Sequence, residues 1–223
     1  MLTVHHLENS RSQRVLWLLE ELEVPYEIKR YERDRKTLLA PSALKKVHPL
    51  GKSPVVTDGE LTVAESGAIV EYLLERYGKG RLAPPAGAPA RRRFTYWLHY
   101  AEGSLMPILV MKLVFARLPV AAPFLVRPLV RGIARTVNAG YLDPQLRVHL
   151  QYLEAELTKS TWFAGDDFTA ADIQMSFPVE AAAARGGLGP GYPRLHAWLE
   201  RIQGRPAYRR ALEKGGPFEV LPA

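Results

Sequence analysis

The stretch HPLGKSPVVTDGELTVAESGAIVEYL, residues 48–73, carries several structural signals in close succession. Two short β runs flank Asp58-Gly59, a strong hairpin turn signal. Ser66 can then cap a helix whose apolar positions Ile69, Val70, Tyr72, Leu73 and Leu74 run on to Tyr77, where Gly78 stops it. Working backwards, LTVHHL (2–7) reads as a strand and SRSQRVLWLLEELEV (10–24) as a helix with Val15, Leu16, Leu18, Leu19 and Leu22 on one side. After Pro25, YEIKRY alternates as a second strand, and Pro41 to His48 reads as helical. Residues 1–78 therefore have the order β-α-β-α-β-β-α.

Working forwards, GKGRLAPPAGAPARRR (78–93) breaks every periodic pattern with Pro84, Pro85, Gly87 and Pro89, and reads as a linker over 79–89. Beyond it no alternating pattern survives. Helical stretches are expected at 90–116, 124–158, 169–185 and 192–213, so residues 90–223 form an all-helical domain behind the mixed one at 1–78. Thr169 and Asp172 have capping-box spacing, and Phe168 and Ile173 that of a hydrophobic staple, which sets a helix start at 169. A carboxylate in that position is read as structural rather than as a catalytic acid.

Composition narrows the functional classes. Among 223 residues, 47% are hydrophobic and 24% charged, as in a packed globular protein. No cysteine is present, which excludes a thiol nucleophile, zinc–thiolate and iron–sulfur sites and a disulfide framework. The start shows no secretory pattern, so the cytoplasm is the expected compartment. The net charge of +7 is uneven: residues 1–78 carry −1 and residues 79–223 carry +8. That asymmetry raises an anionic-surface or nucleic-acid reading. The uncharged run LPVAAPFLV (118–126) is too short to span a bilayer. Arg127, Arg131 and Arg135 recur at one-turn spacing, which fits a solvated face, a subunit boundary or a membrane surface. Neither nucleic acid nor membrane is an expected partner.

His5 and His6 point to opposite faces of their strand and cannot readily share a metal. No phosphate loop, dinucleotide fingerprint or hydrolase elbow occurs. What remains is Ser10 after the first strand, His48-Pro49-Leu50-Gly51-Lys52-Ser53-Pro54 in the middle, and Glu65-Ser66 at a helix start. In order and context these resemble the soluble glutathione transferases over essentially the whole chain.

The resemblance implies a thioredoxin-like domain joined to a helical one, and a site for reduced glutathione as co-substrate, with no permanently bound cofactor or metal. It implies a cis peptide before Pro54, backbone binding by Ser53, and Lys52 against the glutathione backbone or glycine carboxylate. It further implies that Glu65 receives the γ-glutamyl ammonium, while Ser66 and its helix amides receive the carboxylate, a division the charge of a helix N-terminus supports. Ser10 matches the serine of the serine-type branches, donating a hydrogen bond that favours the thiolate. Two other readings stand beside that one: Ser10 and Gln13 have capping-box spacing with Ser12 as a competing cap, and Asn9 is an alternative donor. Lack of cysteine excludes the cysteine-type branches, and His5-His6 replaces the tyrosine of tyrosine-type relatives. The expected activity is attack of the glutathione thiol on a small apolar electrophile or a peroxide, in detoxification, by a homodimer. A non-catalytic interaction module of the same fold is the alternative.

Overall fold

A computed structural model describes residues 1–34, 37–185, 187–216 and 218. Strands β1 (Leu2–Leu7), β2 (Glu27–Tyr31), β3 (Val55–Asp58) and β4 (Leu61–Ala64) form one sheet in the order β2-β1-β3-β4. β1 runs parallel to β2 and antiparallel to β3, and β3 is antiparallel to β4. The β1–β2 connection is helix α1 (Ser12–Leu22), and α2 (Ser66–Tyr77) follows β4. This is the thioredoxin-like arrangement. Asp58 pairs with Leu61, so the hairpin turn is Gly59-Glu60, one residue later than the sequence signal suggests. Gly59 sits at φ +62° with open space around it, so the turn selects glycine for its backbone rather than for room. The expected helix at 41–48 is only a 3₁₀ turn, Ser42–Lys46.

Residues 78–88 contain neither helix nor strand. Helices follow throughout: α3 (Pro89–Tyr100), α4 (Met106–Ala121), α5 (Arg127–Val137), α6 (Asp143–Glu156), α7 (Ala170–Ala184), α8 (Pro193–Gln203) and α9 (Pro206–Gly215). Two π turns, Ala101–Leu105 and Asn138–Leu142, join α3 to α4 and α5 to α6 without breaking the helical path. Each is followed by a proline, Pro107 or Pro144, which can neither donate to the turn before it nor tolerate a close carbonyl there. The wider π turn accommodates both constraints. The stretch 192–213 divides at Gly204 because Pro206 must open a new helix.

The capping box of α7 forms as expected: Thr169 Oγ1 accepts from Ala171 N (3.3 Å), and Asp172 accepts from Thr169 N (3.1 Å). Asp172 also accepts from Phe163 N and Trp198 Nε1, joining the start of α7 to the preceding loop and to the middle of α8.

α1 is buried around most of its circumference, because β1 and α2 cover one side while α7 and α9 cover the other. Trp17 packs edge-on against Tyr208 of α9 at 5.1 Å between ring centroids. Glu20 receives Arg210 and Lys214, and Glu21 receives Arg205, so three cations of α9 and its approach hold it to α1. One continuous apolar cluster runs from Leu2 and Val4 through α1 to Trp198 and Ala211.

Candidate active site

Two adjoining cavities lie where the sheet domain meets α4 and the π turn before it, and Arg11 lines both. The first, of about 300 Å³, collects Lys52, Ser53, Pro54, Glu65 and Ser66 from the sequence-identified set, and adds His48 and Glu102. The Ser53–Pro54 peptide is cis. Ser53 Oγ donates to His5 O (2.9 Å) and accepts from Leu7 N (3.3 Å), which ties this turn to β1. Gly51, at φ +58°, has Lys45 Cγ only 2.7 Å from where a Cβ would stand, so both backbone and packing require glycine before the turn.

Glu65 occupies φ +73°, ψ 126°, a conformation that costs a non-glycine residue about 1–3 kcal/mol and tends to persist at functional positions. It is exposed at the cavity, immediately before the uncapped N-terminus of α2. Ser66 is buried and accepts from Arg14 Nη2 at 3.1 Å. The cavity thus offers carboxylates, a lysine and helix amides, a set complementary to a zwitterion bearing separate amine and carboxylate groups.

Arg14 is missing from the sequence-derived roles, yet it organises this wall. Its guanidinium is 2% exposed and reaches Ser66 Oγ, Gln174 O and Glu102. Burial pulls Arg14 below the usual guanidinium value, while Glu102 opposes that shift. Burial alone would raise Glu102, but Arg14 and Arg11 hold it below the usual carboxylate value. Glu102 comes from the first π turn, and Arg11 Nε lies 3.0 Å from its Oε2. A basic residue buried at the opening of α1 was the available sequence signal for Arg14. Its acidic partner, 88 residues away, had none.

The second cavity, of about 500 Å³, is apolar: Met106, Val110, Leu113, Val114 and Leu118 of α4 face Phe177 of α7 across it, with Asn9 and Arg11 at the boundary. On the long helix after the linker, Tyr96, Trp97, His99, Tyr100, Leu105, Met106, Leu109 and Met111 read from sequence as mainly core, with about three of them, not individually assigned, reaching substrate; only Met106 lines this cavity. The aromatic members pack elsewhere, Trp97 lying 4.8 Å from Phe163 and 5.6 Å from Tyr152 between ring centroids. The wall is formed further along the same continuous helix.

Ser10 lies in the chain between Asn9 and Arg11, is 5% exposed and lines neither cavity. Its Oγ accepts from Ser12 N (3.2 Å) and contacts Ser12 Oγ (2.7 Å), which in turn meets His6 Nδ1 (2.9 Å). The Gln13 side chain does not complete a capping box: its amide has no hydrogen-bond partner among the described residues. Burial pushes His6 down to about 4, so the imidazole ending this chain is neutral near pH 7. His5 points away, to Tyr31 and Thr57. Asn9 adopts φ +48°, which asparagine tolerates better than most residues, and reaches the apolar cavity.

Comparison with known proteins identifies the family. Residues 1–75 match the family model described as glutathione S-transferase, N-terminal domain, and residues 118–206 match the C-terminal domain. Glutathione S-transferase 3 of Schizosaccharomyces pombe is 40% identical, over 96% of this chain and 88% of that protein. Glutathione S-transferase 1 of Saccharomyces cerevisiae is 33% identical, over 96% and 95% respectively. A crystal structure of a glutathione S-transferase from Actinobacillus pleuropneumoniae superposes with a TM-score of 0.80 and 32% identity, covering 99% of this chain and 95% of that one. On both sequence and fold, the chain belongs to the glutathione S-transferase family.

Proposed function

We propose that this glutathione S-transferase binds reduced glutathione along the first cavity and presents its thiolate at the mouth of the second, where an apolar electrophile is held. The juxtaposition of the two cavities across Arg11 is the observation that carries this reading. Glu65 pairs with the γ-glutamyl ammonium, and Ser66 with the amides opening α2 takes the adjacent carboxylate. The Ser53 backbone beside Pro54 pairs with the middle of the tripeptide, and Lys52 takes the glycine end. The thiol then lies near the start of α1, where Ser10 of a serine-type mechanism, or Asn9, donates to the sulfur. Arg11 and the helix N-terminus favour its charged form. The thiolate forms a bond to the electrophilic carbon and the leaving group departs with its electron pair; with a peroxide, sulfur takes one oxygen, the other fragment leaves with the O–O electron pair and is protonated to alcohol or water, and a second reduced glutathione displaces water from the sulfenic acid to give glutathione disulfide. Dependence on reduced glutathione fits a reducing compartment, the cytoplasm.

Titration calorimetry with reduced glutathione tests the binding mode. The wild type should release or absorb heat with a single site per chain, and Glu65→Ala should weaken binding at least about tenfold, equivalent to about 1.4 kcal/mol. Absence of binding at millimolar glutathione would leave the interaction-module reading.

A further inference from the structure

The distal half of α4 and the whole of α5 project as a helical hairpin, closed by a 3₁₀ turn at Phe124–Val126. Its end is apolar and uncovered: Val120, Phe124, Leu125 and Leu129 are 72%, 80%, 89% and 67% exposed. Scattered exposed apolar side chains are ordinary on a globular surface, but four large ones around one turn are not. Leu125 of the turn is followed along α5 by Leu129 and Ile133 at four-residue spacing on one line, while Arg127, Arg131 and Arg135 run along the opposite side of the helix. Ala134, between those lines, is buried toward α4. Arg117 adds a further exposed cation.

Charge decides what such a surface fits. From Gly103 to Leu142 the sequence contains five basic residues and no Asp or Glu. Lys112 is paired with Asp143 and half-buried Arg127 donates to Ala122 O, which leaves Arg117, Arg131 and Arg135 as the exposed arginines around the apolar end. A polyanion such as DNA would meet the arginines but gain nothing from an exposed Phe-Leu-Val turn. A bilayer with anionic headgroups satisfies both features, taking the apolar turn into its acyl boundary and the guanidiniums at the phosphates. We propose that this hairpin docks, tip first, on an anionic membrane surface.

The 33-residue helix Pro89–Ala121 is long and apolar enough to cross a bilayer by length and composition. Its first half, however, holds Phe94, Trp97, Leu98 and Leu105 in the protein core, so the hairpin lies on the membrane rather than spanning it. From sequence the arginine row reads first as a solvated face or a subunit boundary and membrane is not an expected partner; the uncovered apolar turn beside it is what the structure adds. Docking needs only the tip. Val110, Val114 and Leu118 continue from the apolar cavity toward that tip along one face of α4, so docking brings the cavity mouth close to the lipid.

The test is cosedimentation with vesicles of pure phosphatidylcholine and with vesicles containing about one-third phosphatidylserine. The wild type should bind the anionic vesicles at least about tenfold more tightly than the neutral ones, more weakly at physiological than at low salt. Phe124→Ser with Leu125→Ser should abolish binding, and Arg131→Gln with Arg135→Gln should remove the anionic preference. Both variants should keep the wild-type transferase rate and unfolding temperature. Three results would overturn the proposal: no wild-type binding at low salt, binding undiminished in the Phe124/Leu125 variant, or conversion of a wild-type dimer to monomer by that variant. The second would mark a purely electrostatic polyanion site, and the third a face between two copies of this chain.

Discussion

Ser10 already spends its side-chain oxygen on Ser12, so a thiolate contact there must compete with, or extend, the chain that ends on His6. With one ring nitrogen donating to Gly215 O, neutral His6 accepts from Ser12 Oγ, which can then accept from Ser10, so a sulfur must compete for the Ser10 proton. In Ser10→Ala, loss of a hydrogen bond to the thiolate should raise the pKa of bound glutathione above the wild-type value, at about 1.4 kcal/mol for each unit. Loss of the helix-start contact alone would instead cost about 1 kcal/mol of stability and leave the thiol titration in place. Thiolate absorbance against pH, measured with thermal unfolding for wild type, Ser10→Ala, Asn9→Ala and Arg11→Met, separates these roles. Because a cation favours the thiolate, Arg11→Met should also raise the thiol pKa and lower the rate at neutral pH, with partial recovery in alkali. A shift confined to Asn9→Ala would transfer the donor role to Asn9, whose left-handed backbone brings it to the apolar cavity.

At the scale of elements, the first π turn delivers Glu102 to a buried arginine, and the two should fail together. Glu102→Gln removes the nearest counter-charge of the buried Arg14 guanidinium, so unfolding free energy should fall, by less than the about 3–5 kcal/mol of a fully buried pair because Glu102 is partly exposed and Glu180 still acts on Arg14; Arg11→Met should cost less because Glu102 keeps its bond to Arg14. Denaturant unfolding of the two variants checks that order. The cap of α7 makes a separate pH prediction. Burial pushes Asp172 up to about 6, although its four hydrogen bonds favour the carboxylate. Between about pH 4 and 6 the folded state therefore holds a proton that the unfolded chain has released, and this group's contribution to stability falls as pH rises through that window. Asp172→Asn should flatten that slope, visible in unfolding midpoints across the range. These elements also mark the limit of sequence reading. The hairpin, α2 and the Thr169–Asp172 cap depend on neighbours a few residues apart and are legible to within a residue. The split of 192–213 was signalled by Pro206 but hidden by continuous apolar spacing. Pro107 and Pro144 signal a disturbed turn before them but not its form, and nothing local announces the partnership of Glu102 with Arg14. The cavity wall at Val110, Leu113 and Val114 depends on where α7 crosses α4, which is tertiary information.

For the whole molecule, the opposite charges of its two parts suggest how a second copy would pack. The family resemblance implies a two-fold pair in which α2 of one protomer meets α3 of its partner. The solvent faces of these helices suit that contact: Glu71 and Glu75 are exposed on α2, while Arg92, Thr95 and Tyr96 are exposed on α3. A two-fold axis applies the contact twice, so each acidic helix meets a basic one and like charges stay apart. The Phe124–Val126 turn belongs to neither helix. Light scattering at micromolar concentration should give twice the chain mass for the wild type, and Glu71→Arg with Glu75→Arg should shift the population toward monomer by placing cations opposite Arg92. If instead that variant stays dimeric while a change at Leu129 and Ile133 dissociates the pair, the two-fold axis lies along α5. The apolar tip would then be an intersubunit surface, and the dimer contact and membrane docking would compete for the same residues.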